Sequence, residues 1–512
     1  MLARIHSAAV LGIDAYPVEV EVDLCNGLPS FSTVGLPHGA VRESKERVNA
    51  ALVNAGFEFP LKRITVNLAP ADVPKAGSAF DLPIALGVLA ASGQLAEAGL
   101  DGQVVVGELG LQGDLRPVRG ALPLALAARA AGHSAIVLPA ANLAEASVVD
   151  GVDVLGASSL VEVCDHLRGV SRLVPRRHDP AELLATAQPD AADFADVRGQ
   201  AAAKRALEIA AAGGHNVLLI GPPGAGKTML ARRLPSILPR PTLEEALEAT
   251  AVHSVAGLLR PGAALVTARP FRAPHHTVSE AGLVGGGTPP RPGEVSLAHV
   301  GVLFLDELPE FRRGALEVLR QPLEDGFVTL SRAATSLTYP ARFMLAAAMN
   351  PCPCGYLGDA SHPCRCGGPL VERYRQRLSG PLLDRIDIHL AVPAVPWRDL
   401  TRGGDAESSG AIRARVESAR ERQRARFTPR RGLWANAHMH SRDVRRWCRL
   451  SAPGEALLGA AITRLGLSAR AYHRVLKIAR TIADLAQVEE IAPAHLAEAI
   501  QYRALDRRNL HA

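Results

Sequence analysis

Apolar and polar positions divide this chain of 512 residues into stretches with two rhythms. Near the start, Val18, Val20, Val22 and Leu24 alternate with Glu19, Glu21 and Asp23, which predicts a strand with one buried face. Ile64–Leu68 predicts another strand, and the run around Leu122–Ala131 a helix. Further on come three short apolar runs, Val217–Ile220, Val302–Leu305 and Met344–Met349. Runs of that length suit strands buried on both faces of a parallel sheet. Helical periodicity governs Leu467–Leu485 and Ile491–Ile500. The pattern is that of an α/β chain with a helical C-terminal part.

No apolar run approaches the roughly 20 residues of a membrane span. The Leu82–Ala91 region is too short and sits in a globular pattern. The early alternation predicts a strand where a secretory signal would need an apolar core. Seven cysteines, four of them clustered, then argue for a reducing, cytoplasmic location without disulfides. The length leaves room for about three domains. A net charge of +6 mildly favours a polyanionic partner. With aromatics at 4%, any nucleic-acid contact is expected mainly at phosphates rather than by base stacking.

The chemistry centres on Gly221, Pro222, Pro223, Gly224, Ala225, Gly226, Lys227 and Thr228, which fit GxxxxGK[ST] directly after an apolar strand. Small residues let backbone N–H groups curl round a phosphate, and a helix begins with its positive end facing the same anion. Lys227 is expected on the β- and γ-phosphates of ATP and the Thr228 hydroxyl on Mg²⁺. A second motif, Gly301–Glu307, ends an apolar strand on two acids. Asp306 is assigned to the Mg²⁺ shell and Glu307 to activation of the attacking water. Together the two motifs specify a P-loop ATPase.

Four thiols lie within fifteen residues: Cys352, Cys354, Cys364 and Cys366, around Gly355, Gly358 and Pro363. They form a candidate tetrahedral, structural Zn²⁺ site, with His362 as an alternative ligand and free, partly buried thiols as the bland reading. Adjacent His275 and His276 lack a third ligand at metal spacing and are assigned a structural or loop role. Phe327–Arg332 and Ser336–Phe343 flank a polar turn and predict a β-hairpin. Arg413, Arg415, Arg420, Arg422, Arg424 and Arg426 crowd one helix, with Arg430 and Arg431 beyond it. They form either a solvated face or a phosphate-tracking one.

Two resemblances extend this reading. Val66–Leu82 and Gly107–Gly120, followed by Ala127–His133 and Val137–Pro139, resemble the proteolytic domain of Lon proteases. The resemblance implies a Lon-like, ribosomal-S5-type α/β domain over residues 1–168. It does not carry the activity across. Lon-type cleavage needs a Ser nucleophile and a Lys base. Ser78 lies about one residue from the nucleophile position, but the base position falls at Ala121-Leu122, and Lys75 belongs to another part of the motif.

The His275-His276 segment, the triplet Gly285–Gly287, Ser296–His299 and the acidic strand resemble the magnesium-chelatase-like AAA+ proteins of bacteria, specifically the ComM/YifB group. The likeness covers nearly the whole chain. Residues 169–192, with Pro175, Pro180 and Pro189 and weak periodicity, read as an interdomain linker, and the likeness implies an AAA+ core over 193–400 and a helical lid over 401–512. It also implies that Val197 and its neighbours flank the adenine, that Asn350 is sensor 1, and that Arg385 is an arginine finger reaching a neighbouring subunit's γ-phosphate. Arg470 takes the sensor 2 position. A finger in trans implies a homo-oligomeric ring, a hexamer, and the hairpin carrying Arg332 is then expected in a DNA-lined pore. The leading expectation is a DNA motor for branch migration during recombination of incoming DNA. The alternatives are a protein-remodelling motor such as a metal-chelatase subunit, and an ATP-dependent protease.

Overall fold

The computed structural model describes residues 1–512 except 38, 42, 74, 76, 97–98, 187–191, 289, 333–334, 360, 396–405, 429–432 and 504–512. The alternating N-terminal pattern becomes β1 (Leu2–Leu11), β2 (Asp14–Cys25), β3 (Ser30–Val34), β4 (Arg63–Ala69) and β5 (Gln103–Val105). A short ribbon, β6 (Glu108–Leu109) with β7 (Leu115–Arg116), precedes β8 (Ala135–Pro139) and β9 (Asp153–Ala157). Among the described residues these build a seven-stranded mixed sheet in the order β3-β4-β2-β1-β5-β8-β9. Val20 stands opposite Ile5 on one side and Leu68 on the other, so the apolar face of each strand meets its neighbour's. That face is covered by the helix Asp81–Ala91, every residue of which is buried. The apolar run too short for a membrane is therefore a core helix. A Cβ at Gly87 would lie 2.5 Å from Val22 Cγ2, so only glycine lets this helix approach the sheet so closely.

The second sheet combines β10 (Val217–Ile220), β11 (Phe271–Arg272), β14 (Val302–Leu305), β17 (Met344–Met349) and β18 (Ile388–Ala391). Two further pairs, β12 (Gly285–Gly286) with β13 (Arg291–Pro292) and β15 (Phe327–Arg332) with β16 (Thr335–Pro340), stand outside it. The order β11-β14-β17-β10-β18 is parallel throughout. Every residue of β10, β14 and β17 is buried, which explains why their sequences are apolar without alternation. The hairpin expected from the sequence is β15–β16. Its second strand ends at Pro340, not Phe343, because the chain there turns into β17.

Three helices of the C-terminal part follow the periodic pattern: Ser409–Phe427, Ala469–Leu485 and Pro493–Gln501. Ile412, Val416, Val475 and Ile478 share one apolar core with Val217 and Leu219 of the second sheet. The segment 169–192, expected as a linker, contains the helix Pro180–Ala185, capped by Asp179. Leu183 from that helix packs on a cluster joining Val118, Leu122 and Leu124 to Ala251 and Ala264 of the ATPase region. The N-terminal sheet and the ATPase region thus share apolar packing.

Burial also shapes the response to acid. His215, His299 and His389 are buried, and burial pushes each below the usual histidine range, His389 to about 3. In the unfolded chain each takes up a proton near pH 6.5. The unfolded state therefore binds more protons below that pH, and stability is lost as pH falls. The thermal midpoint is expected to drop progressively between about pH 7.5 and 5.5. A midpoint constant over that window would contradict the burial of these histidines.

Candidate nucleotide site

The site is built where three parallel strands end. Ile220 of β10 pairs with Met349 of β17, and Leu305 of β14 with Ala347. The residues that follow these ends therefore meet at one edge of the sheet, where α/β folds bind ligands. A Cβ at Gly221 would fall 2.1 Å from the Val392 carbonyl oxygen, so the turn out of β10 excludes any side chain. Gly224 and Gly226 adopt left-handed φ values of +76° and +84°, which turn successive N–H groups toward one concavity. The helix Lys227–Ile237 starts there without a side-chain cap, leaving its first N–H groups to an anion.

Lys227 is buried, and its ammonium donates to the carbonyls of Gly221 (2.7 Å) and Pro222 (2.9 Å) and to Asn350 Oδ1 (3.1 Å). Burial lowers its pKa, opposed by the charges of Asp306 and Glu307. The Thr228 hydroxyl donates to Asp306 Oδ2 at 2.7 Å. Two oxygens on adjacent positions of a Mg²⁺ octahedron, each about 2.1 Å from the ion, lie about 3.0 Å apart. The pair fits that geometry. Glu307 is exposed and has a left-handed backbone (φ +53°). His276 Nδ1 lies 3.7 Å from Glu307 Oε2. The His-His pair, assigned above to a loop role, thus contributes a residue to the site. Lys227, Thr228, Asp306, Glu307 and Asn350 are brought together as the motifs require. Val197 is fully buried within the core.

Arg385 and Arg470 lie elsewhere. Both line a cavity of about 300 Å³ with Glu324, His473, Arg474 and Lys477, and no P-loop residue lines it. Arg385 is folded inward: its guanidinium donates to Glu324 and to the Pro381 carbonyl, while Arg470 is exposed. A buried polar network ties this cavity to the lid. Asp387 accepts from Arg474 and faces His215 Nδ1 at 3.1 Å; His215 Nε2 lies 2.9 Å from the Thr481 hydroxyl. The Asn216 side chain donates to the Arg385 carbonyl and accepts from the Leu345 N–H, joining the cavity to the sensor strand.

The four cysteine sulfurs lie within 4.8 Å of one another, and those of Cys352, Cys354 and Cys364 are 3.4, 3.6 and 3.7 Å apart. Hydrogen bonds from the N–H groups of Tyr356 and Arg365 hold the Cys354 thiol down to about 6. His362 instead turns to Asp359, 3.6 Å away, so the donor set is four thiols.

Three of the six arginines on the arginine-rich helix are committed to the fold. Arg415 pairs with Glu208 and Glu407, and Arg420 donates to the carbonyls of Ala211, Ala212 and Trp434. Arg426 pairs with Asp484. These three positions are not a phosphate-tracking face, and Arg430 and Arg431 lie outside the described residues. In the N-terminal domain the Ser78 hydroxyl donates to Glu108 rather than meeting a lysine, and Leu122 is fully buried.

Residues 193–400 match the family described as magnesium chelatase, subunit ChlI; 20–142 match subunit ChlI of Mg-chelatase, and 406–503 match magnesium chelatase, subunit ChlI C-terminal. Fold and site together define an AAA+-type P-loop ATPase of the magnesium-chelatase-like class. The chain is 47% identical over 522 residues to the protein YifB of Salmonella typhimurium, covering 100% of this chain and 98% of that one. It is 46% identical over 510 residues to the competence protein ComM of Haemophilus influenzae, covering 99% and 98% respectively. A shorter likeness, 30% over 164 residues, is to the magnesium-chelatase 67 kDa subunit of Chlorobaculum parvum, covering 31% of this chain and 23% of that one. This chain belongs to the ComM/YifB family of magnesium-chelatase-like AAA+ proteins.

Two variants test the site. Glu307→Gln is expected to bind ATP while turnover falls about 10²–10⁴-fold, the usual worth of a general base. Lys227→Ala is expected to lose nucleotide binding or turnover, read by a fluorescent ATP analogue beside phosphate release. Unimpaired turnover in either variant would overturn the assignment.

Proposed function

We propose that the protein is a ring-forming, Mg²⁺-dependent ATPase that moves on DNA, acting in the cytoplasm as a branch-migration helicase during recombination of incoming DNA. The observation that carries the DNA reading is the placement of the β15–β16 hairpin. It is inserted between the strand that ends on Asp306 and Glu307 and the strand that ends before Asn350. Any shift of those strands on hydrolysis is transmitted covalently to the hairpin. The competence-protein name of the Haemophilus influenzae relative supports a role with incoming DNA.

In this reading bound Mg²⁺ offsets charge on the transferring phosphate. Thr228 and Asp306 hold the ion, Lys227 fixes the β- and γ-phosphates, Asn350 orients the water, and Glu307 accepts its proton. Arg385 and Arg470 share a cavity apart from their own P-loop; in this reading they serve the γ-phosphate held by an adjacent copy, Arg385 exchanging its contact with Glu324 for that phosphate. A closed ring, a hexamer, satisfies every site at once. The four cysteines hold one Zn²⁺, since a tetrahedron with metal–sulfur bonds of about 2.3 Å has edges of about 3.8 Å. A second reading, a protein-remodelling motor, is favoured by the chelatase family matches.

ATPase rates with and without branched DNA separate these readings. DNA stimulation, absent in Glu307→Gln, is the expected result; stimulation by a protein client with DNA inert would favour remodelling.

Mixing variants tests the ring. Arg385→Ala should lose about 10³–10⁵-fold in turnover and regain activity when mixed with Lys227→Ala, because some interfaces are then intact. Arg385→Ala mixed with Arg470→Ala should stay inactive if one subunit supplies both arginines. Recovery in that mixture would place Arg470 in cis.

A further inference from the structure

The four-cysteine loop is fastened to the nucleotide site at both of its ends. Asn350, which accepts from Lys227, follows the last residue of β17 and stands two residues before Cys352, whose side chain is fully buried. Arg375 Nε donates to the Pro351 carbonyl at 3.4 Å. Arg375 lies on the helix Gly368–Arg375, which begins just after Cys366. The strand end and this helix thus grip the residue that separates Asn350 from Cys352.

Within the loop, Gly355 lies against the P-loop itself. Its backbone is left-handed (φ +88°), and a Cβ there would fall 2.6 Å from Pro223 Cδ and 3.8 Å from Asn350 Cγ. Gly355 is therefore the contact by which the cysteine loop bears on the phosphate cradle. A loop of this length without secondary structure does not hold such a contact by its own conformational preference. A cross-link at its base does, by removing the loop's alternative conformations. The sulfurs are too close together to enclose a cluster of several metal atoms, and four thiols select Zn²⁺ among mononuclear ions of fixed valence.

We infer that the zinc centre is the back wall of the ATP site: one Zn²⁺ on Cys352, Cys354, Cys364 and Cys366 presses Gly355 onto Pro223 and holds Asn350 on Lys227, so metal occupancy sets the geometry of phosphate binding and water orientation. Asn350 and Lys227 act on the nucleotide, whereas the cysteines and Gly355 are positioning residues. The inference rests on the zinc reading given under Proposed function.

The test keeps the two claims apart. Elemental analysis of the purified full chain is expected to give one zinc per chain, and Co²⁺ exchanged into the site should show the absorption of tetrahedral cobalt thiolate. Protein that neither contains nor takes up metal at the cysteines overturns the zinc reading and the coupling with it. Chelator-stripped protein and a Cys364→Ser, Cys366→Ser double variant are then compared with the holoprotein for binding of a fluorescent ATP analogue and for turnover. Loss of turnover by about 10²-fold, the size of effect that follows from a 1 Å misplacement, with recovery of the stripped protein on adding Zn²⁺, is the expected result. Because the cysteine variant can lose its fold, Gly355→Ala supplies the second arm. It retains all four thiols, so its zinc content should stay at one per chain while its ATP-analogue affinity or turnover falls. Gly355→Ala with full zinc and wild-type nucleotide binding and turnover would overturn the coupling and leave the zinc site standing.

Discussion

Parallel pairing of β10 with β17, and of β17 with β14, is the constraint from which the nucleotide site follows. It brings three strand ends to one edge, so a glycine-rich turn, an acid pair and an amide face one another without long loops to steer them. Parallel pairing in turn requires both faces of the sheet to be covered. The three strands meet that demand with uninterrupted apolar side chains, and helices of the lid join the same core as the P-loop strand. Slipping β17 by one residue would reverse its faces and carry Asn350 away from Lys227. The position of the Asn350 amide against Lys227 is thereby set by core packing.

Legibility in the sequence tracked the distance over which residues cooperate. The P-loop and the acidic strand were readable because each packs its chemistry into a few consecutive residues. The four cysteines were readable for the same reason, and the structure adds the turn of His362 toward Asp359 that leaves it out of the donor set. His276 was not readable. Its meeting with Glu307 depends on β11 lying beside β14, which no local pattern records. The arginine-rich helix was legible only as two alternatives. A run of positive charge reads as solvated or anion-binding, yet Arg415, Arg420 and Arg426 meet Glu208, main-chain carbonyls and Asp484 from remote parts of the chain.

Buried charge also organises the lid. Asp387 is buried, and it meets Arg474 and His215 on separate elements. Removing one partner from such a set leaves a buried group uncompensated, which costs far more than a surface ion pair would. The Asn216 side chain bridges the Arg385 carbonyl and the Leu345 N–H, so one side chain joins this cavity to β17.

Leu122, at the position where the Lon resemblance would require a base, lies inside a cluster shared with Ala251 and Ala264 of the ATPase region. A position given over to chemistry must stay open to water and substrate; one given over to packing must be sealed. The chain has taken the second course, and the cluster now serves as an adhesive between its two halves. Cutting the chain between them would expose a greasy face on each fragment, so separately expressed halves would be prone to clump, and neither would report faithfully on the whole.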